Sequence, residues 1–117
     1  MKTLALTALF VFALGAKADT VAMGVGAIDS NEIVARVDGA EKAFPLEGVP
    51  AGEAKAKQFA QCLVAGRALH IKPEGKNSFT VTLMDGTNVS EQIAEFLQSR
   101  TSVDPCELGK AAYRPKG

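Results

Sequence analysis

The sequence predicts a small, mainly β domain in which two helices accompany five short strands, in the order β-β-β-α-β-β-α. Three observations lead to this fold class. The first residues form a leader that must be set aside, five later segments alternate apolar and polar residues, and two segments repeat apolar residues at helical spacing. Glycine, proline and aspartate turn signals separate these segments.

The first 18 residues have the three parts of a secretory signal peptide. Lys2 supplies the positive charge, residues 3–15 form the apolar run, and Ala16-Lys17-Ala18 is a small-x-small cleavage site. We therefore expect cleavage before Asp19 and export to the periplasm or the medium of a bacterium. An uncleaved N-terminal anchor is the alternative. The mature chain contains no segment with the length of a membrane span.

The mature chain, residues 19–117, has the length of one domain with a modest core. Lys2 and Lys17 leave with the leader, so 11 Lys and Arg residues face 13 Asp and Glu residues, a net charge of −2. Proteins that depend on neutralising phosphates are usually basic. The charge therefore argues against tight, non-specific binding of nucleic acid, although it leaves room for a local basic groove.

Residues 20–28 predict the first strand. The apolar side chains of one face are Val21, Met23, Val25 and Ala27. Gly24 and Gly26 lie on the other face, which indicates a sharply coiled strand or the close approach of another backbone.

A hairpin follows, in which residues 32–37 and 40–46 flank the strong turn signal Asp38-Gly39. Pro45 is unexpected in the third strand, because proline cannot donate a ladder hydrogen bond.

Helical spacing predicts a first helix over residues 53–65, which Gly66 ends. Residues 67–72 and 78–84 alternate as strands four and five, and the Asn88–Glu91 capping pattern opens a second helix. A helix between the third and fourth of five short strands is the order of an OB-fold β-barrel. We place this domain at residues 19–100 and expect an irregular tail over residues 101–117.

Two cysteines in an exported chain predict a disulfide between Cys62 and Cys106. It would tether the tail to the first helix by closing a loop of about 45 residues, worth roughly 4 kcal/mol in the chain-entropy model. His70 is the only histidine, which argues against a zinc site.

Four segments, in order, resemble the staphylococcal nuclease (thermonuclease) family. Residues 27–34, AIDSNEIV, resemble its AIDGDT turn, and residues 44–53, FPLEGVPAGE, resemble its RLxGIDAPE stretch. LVAGR at 63–67 resembles its LVxGK helix end, and LMDGTNVSE at 83–91 resembles its DGxxVNEAL helix entry. The resemblance runs from about Val25 to Phe96 and implies a five-stranded barrel of that family.

The family cleaves phosphodiesters with Ca²⁺ held by carboxylates, a glutamate proposed as general base and two arginines on the phosphate. The resemblance places the two metal carboxylates on Asn31 and Pro50. It places the arginines on Pro45 and on Asn77 or the adjacent Lys76. The general base remains as Glu53, and Asp29 remains beside the metal position rather than in it.

These replacements predict a pseudo-nuclease, because metal and arginine stabilisation carry most of the rate in such chemistry. We expect no catalytic residue and no cofactor; Glu53, Asp29 and Ca²⁺ matter only if residual nuclease activity exists. We favour Glu53 as an acid that suits the helix dipole. The leading interpretation is an exported, non-catalytic binding module with an unknown protein partner. The alternatives are a metal-dependent secreted nuclease with a rearranged site and a weak single-stranded nucleic-acid binder.

Five basic side chains would support weak nucleic-acid binding if they converge on the barrel: Arg36, Arg67, His70, Lys72 and Lys76. His70 is more simply a solvated strand histidine. The four phenylalanines of the mature chain fall in core patterns, so stacking platforms are not expected.

Overall fold

The computed structural model describes residues 20–112, so the signal-peptide prediction lies outside the described residues. The elements in chain order are β1 (Thr20–Asp29), β2 (Glu32–Val37), β3 (Ala40–Pro45), α1 (Ala54–Val64), β4 (Ala68–Pro73), β5 (Phe79–Leu83), α2 (Val89–Ser99) and α3 (Pro105–Ala112). Within this range, no helix has the length and apolar content to cross a membrane.

The five strands form one antiparallel sheet with the neighbour order β3-β2-β1-β4-β5. The sheet is not closed. Its two outer strands meet at a single parallel bridge between Leu46 and Phe79, where the Glu47 amide donates to the Phe79 carbonyl at 3.2 Å. The molecule is therefore a small mixed α/β domain, and the predicted order of five strands around α1 is confirmed.

Helix α1 lies so close to β1 that the inner face of this strand accepts only small residues. A Cβ on Gly24 would lie 2.8 Å from the Val64 carbonyl carbon and closer still to its oxygen. The prediction of close backbone approach is confirmed. The large apolar residues of β1 consequently lie on the outer face, where Val21 is 59% and Met23 is 45% exposed.

The core lies between the sheet and the helices. Its largest fully buried apolar side chains are Ile33, Leu63, Val64, Leu69, Ile71, Val81, Leu83, Val89 and Ile93. Two aromatic pairs extend it: Phe44 and Phe79 meet edge to face at 5.1 Å, and Phe59 stacks on Phe96 at 4.8 Å. The phenylalanines are thus packing residues, as their positions in the sequence predict.

Pro45 fits β3 because of the hairpin register. The two-residue turn makes Val37 and Ala40 a hydrogen-bonded pair, and such pairs alternate along an antiparallel ladder. Pro45, opposite Glu32, therefore occupies a non-hydrogen-bonded position whose amide would point away from β2. Asp38 and Gly39 both have positive φ, at 52° and 84°, as this turn requires.

The predicted irregular tail is wrong over residues 105–112, which form α3. Asp104 caps this helix by accepting from the Glu107 amide at 3.1 Å, and Pro105 occupies the first helical position, where a missing amide costs nothing. Gly109 lets α3 pack tightly on α1, since a Cβ there would lie 3.1 Å from the Leu63 nitrogen. The Cys62–Cys106 disulfide is present and joins the same two helices.

Candidate functional site

The β1–β2 turn and the loop before α1 lie against each other, although about 20 residues separate them in the chain. The Leu46 amide donates to the Asn31 carbonyl at 2.7 Å, and the Ser30 hydroxyl donates to the Pro50 carbonyl at 2.7 Å. We call this region the turn–loop site and define it as residues 29–31 with residues 50–53. It brings together two of the four segments that carry the family resemblance.

Asp29 is held at this site by backbone amides. One oxygen, Oδ1, accepts from the Ser30 amide at 2.7 Å and from the Gly52 amide at 2.9 Å, with the Ser30 hydroxyl 3.3 Å away. The hydrogen bond from Gly52, followed by that from Ser30, lowers the pKa of this carboxyl below its ordinary value. The ionised carboxylate therefore fastens the loop to the turn.

Ser30 is the buried centre of the turn–loop site, with a side chain that is 0% exposed. Its hydroxyl donates to Pro50 and also accepts from the Glu53 amide at 3.2 Å. One side chain thus satisfies a loop carbonyl and an amide at the start of α1. No role was predicted for Ser30 from the sequence; a serine between Asp29 and Asn31 was the available signal for a hydroxyl that bonds nearby backbone.

Glu53 is the residue immediately before α1 rather than part of its first turn. It has extended backbone angles, its side chain makes no capping hydrogen bond, and its carbonyl accepts from the Lys57 amide at 2.9 Å. The side chain is exposed beside a cleft of about 430 Å³ between the start of α1 and the end of α2, which Lys55 and Arg100 also line. No hydrogen-bond partner holds Glu53 in the way that Asp29 is held.

The positions that the resemblance assigns to metal and phosphate contribute no carboxylate and no guanidinium. Asn31 and Pro50 instead supply carbonyl oxygens to internal hydrogen bonds, Pro45 ends β3, and Asn77 is exposed in the loop between β4 and β5. Ca²⁺ prefers six to eight oxygen ligands, several of them anionic. Asp29 and Glu53 are the two carboxylates of the turn–loop site. Because Asp29 Oδ1 already accepts hydrogen bonds from two backbone amides, the residues of this site do not fit Ca²⁺. Among residues 20–112 no group of three or more His, Cys, Asp or Glu side chains could hold a metal.

The five predicted basic residues do not form one surface, because they lie in different parts of the fold. Arg36, His70 and Lys72 share the outer face of the sheet, since Arg36 lies opposite Met23 and His70 lies opposite Val21. Arg36 is already paired with Glu41 at 3.0 Å. Arg67 and Lys76 lie beyond the two opposite ends of β4.

The structure therefore brings three of the five together and leaves Arg67 and Lys76 apart. Exposed apolar side chains, rather than further cations, separate the three on the outer face.

No protein-family model matches the chain, and no curated protein and no solved structure is similar to it.

Proposed function

We propose that this chain is an exported, non-catalytic protein of the staphylococcal nuclease type that acts as a protein-binding module. The strand order supports the barrel part of this proposal. In the order β3-β2-β1-β4-β5, β1 lies between β2 and β4, and the parallel bridge from Leu46 to Phe79 brings the outer strands together at one corner. A five-stranded, partly open barrel is the OB-type arrangement.

The position of the resembling segments supports the family. The turn after β1 and the loop before α1 are adjacent in space, and Glu53 begins the helix that follows the loop. A chance likeness of short segments would not require them to meet.

One observation supports the proposed loss of catalysis: the polar groups of the turn–loop site form hydrogen bonds with one another. Asp29 accepts from two backbone amides, and Ser30 joins the Pro50 carbonyl to the Glu53 amide. These polar groups are satisfied internally and contribute to stability rather than to a reacting phosphate. Lys55 and Arg100 line the cleft beside Glu53, but neither occupies a position that the resemblance gives to a phosphate-binding arginine.

A disulfide between α1 and α3 is consistent with an oxidising environment, which supports export. Exposed apolar side chains on the outer face of β1 favour contact with protein over contact with nucleic acid. The described aromatic rings lie in the two packed pairs, so they do not provide bases with an open stacking surface.

The test is a nuclease assay on the oxidised protein, expressed from the full reading frame and purified from the exported fraction. Single-stranded DNA and RNA are incubated with Ca²⁺, Mg²⁺, Mn²⁺ or a chelator. We expect no cleavage above the buffer control with any ion, because the turn–loop site offers neither a metal cradle nor a phosphate clamp.

The matched variants are Glu53→Ala and Glu47→Ala, which each remove one exposed acid from the segment before α1. Metal-dependent cleavage that Glu53→Ala abolishes and Glu47→Ala preserves would establish a working nuclease and refute the proposal. Salt-sensitive retention of an uncleaved oligonucleotide near physiological ionic strength would instead establish the nucleic-acid binder.

A further inference from the structure

Helix α3 is held to the rest of the domain by few non-covalent contacts. Its packing is concentrated on α1, and among residues 20–112 no hydrogen bond joins it to another helix or strand. The one fully buried residue of α3 is Gly109, which has no side chain, while Leu108 and Ala112 are half-buried. The helix therefore buries little apolar surface of its own.

The disulfide supplies a constraint that this packing lacks. A helix of eight residues is not stable by itself in water, and the burial of two half-exposed side chains does not offset the entropy lost when the segment is ordered. Cys106 is the second residue of α3, and it is joined to Cys62 on α1. The covalent bond keeps α3 beside α1 at a high effective concentration, so weak packing is sufficient to dock it.

The disulfide can be reached from solvent. Cys62 and Cys106 are both half-buried, and they line a cleft of about 450 Å³ along α1. The other residues that line this cleft are exposed residues of the same helix: Ala54, Lys57, Gln58 and Gln61. A small dithiol can therefore approach the sulfurs while the domain is folded, and the Lys57 ammonium favours the approach of its thiolate.

We infer that the Cys62–Cys106 disulfide is a redox switch that releases α3 from α1 when an external dithiol reduces it. The thiolate of the dithiol bonds to one cysteine sulfur as the S–S bond breaks, and the other sulfur leaves as a thiolate that takes a proton from water. The second thiol of the reductant then displaces the first cysteine and closes a disulfide within the reductant. Two electrons and two protons thus pass from the dithiol to the cysteines.

Release of α3 uncovers an aromatic surface. A second cleft, of about 340 Å³, lies between α3 and α2, with Leu108 and Ala112 on one side and Phe96 on the other. Phe59 lines the same cleft, is 4% exposed and stacks on Phe96. When α3 leaves, this cleft loses one wall and the aromatic pair faces solvent. The inference goes beyond the proposed function, because a nuclease and a binding module could each carry such a switch.

Hydrogen–deuterium exchange of the full-length protein tests the release, with mass spectrometry resolving α3 from α1 and α2. The protein is compared before and after treatment with dithiothreitol without denaturant, and thiol titration follows the reduction. We expect amides of α3 to exchange at least about 10-fold faster after reduction, while amides of α1 and α2 keep their protection. Reoxidation should restore slow exchange in α3.

The double variant Cys62→Ala/Cys106→Ala separates release from the reduction chemistry. Its α3 should exchange fast both with and without dithiothreitol, which also controls for effects of the reductant elsewhere, and circular dichroism establishes that it is folded. Reduced protein whose α3 exchanges as slowly as in the oxidised form overturns the inference. So does equal acceleration in α1 and α3, which would mean global unfolding, or a disulfide that dithiothreitol reduces only in denaturant.

Discussion

Gly24→Ala is the substitution that most directly tests the packing of α1 on β1. The added Cβ would lie 2.8 Å from the Val64 carbonyl carbon, closer to its oxygen, and 3.2 Å from the Val64 Cβ. The Val64 backbone cannot rotate away from the added methyl group, as the end of a flexible side chain could. Two hydrogen bonds also fix the separation, because Gly24 donates to the Arg67 carbonyl and accepts from the Gly66 amide, each at 2.8 Å.

The expected loss of stability is about 3 kcal/mol. Overpacking costs about 1–3 kcal/mol. Moving the end of α1 outward weakens two hydrogen bonds, each worth about 1 kcal/mol. Replacing a strand glycine returns about 0.5–1 kcal/mol through lower chain entropy in the unfolded state. Gly26→Ala is the matched control: its Cβ meets the flexible end of the Gln61 side chain at 3.2 Å, so the cost should stay below about 1 kcal/mol.

The assay is urea unfolding of the two oxidised variants and the parent, followed by circular dichroism, with melting temperatures as a second measure. A loss of 3 kcal/mol corresponds to a fall of about 12–24 °C for a domain of this size. If Gly24→Ala unfolds at the same midpoint as Gly26→Ala with an unchanged m-value, α1 does not press on β1 and the reasoning fails.

Two further predictions concern the disulfide and the turn–loop site. Cys62→Ala/Cys106→Ala should lower the free energy of unfolding by about 4 kcal/mol, since the bond spans 44 positions, and reduction of the parent should match it in denaturant titrations. Asp29 has a folded-state pKa below that of the unfolded chain, so its contribution is present above the unfolded pKa and is lost as pH falls through the lower folded value. Asp29→Asn should therefore remove part of the loss of stability expected as pH falls below the unfolded pKa of Asp29, while Asp85→Asn should leave that part in place. Equal pH profiles for parent and Asp29→Asn would contradict this role.

Local patterns were sufficient to predict the elements from residue 20 to residue 99. The predicted second strand, residues 32–37, has the same bounds in the structure, and the other elements differ by one or two residues. Asn88 caps α2 through the Glu91 amide at 3.0 Å, as its spacing predicts. Such features depend on neighbouring residues only, which is why the sequence alone contains them.

Two predictions were wrong. Ala27 was grouped with the exposed apolar residues of β1, yet it is only 8% exposed, because a register shift between Gly24 and Gly26 changes the faces beyond it. The tail over residues 101–117 was predicted to be irregular, whereas residues 105–112 are helical. The pattern Asp104-Pro105-x-Glu107 was nevertheless a helix start, with a capping aspartate and a proline at the first helical position.

The candidate site was predictable in position but not in its bonding. The resemblance placed Asp29 and Glu53 in neighbouring segments, and the structure brings those segments into contact. No sequence pattern indicated that Ser30 would be buried between them or that the Gly52 amide would reach Asp29. These bonds depend on the conformation of the eight-residue loop between β3 and α1, which no local sequence pattern determines.

Three residues that the resemblance aligns with functional positions of the family have a defined place in this fold. Pro45 occupies the non-hydrogen-bonded position of β3, so it removes a side-chain donor without breaking the ladder. The backbone carbonyls of Asn31 and Pro50 accept from the Leu46 amide and the Ser30 hydroxyl, and the side chains at these two positions offer no anionic oxygen to a metal ion. A carboxylate introduced at position 31 or 50 would place a second negative charge near Asp29, whose Oδ1 already accepts from the surrounding amides. The turn–loop site is therefore better suited to holding the loop than to holding an ion, and a function through binding leaves this arrangement undisturbed.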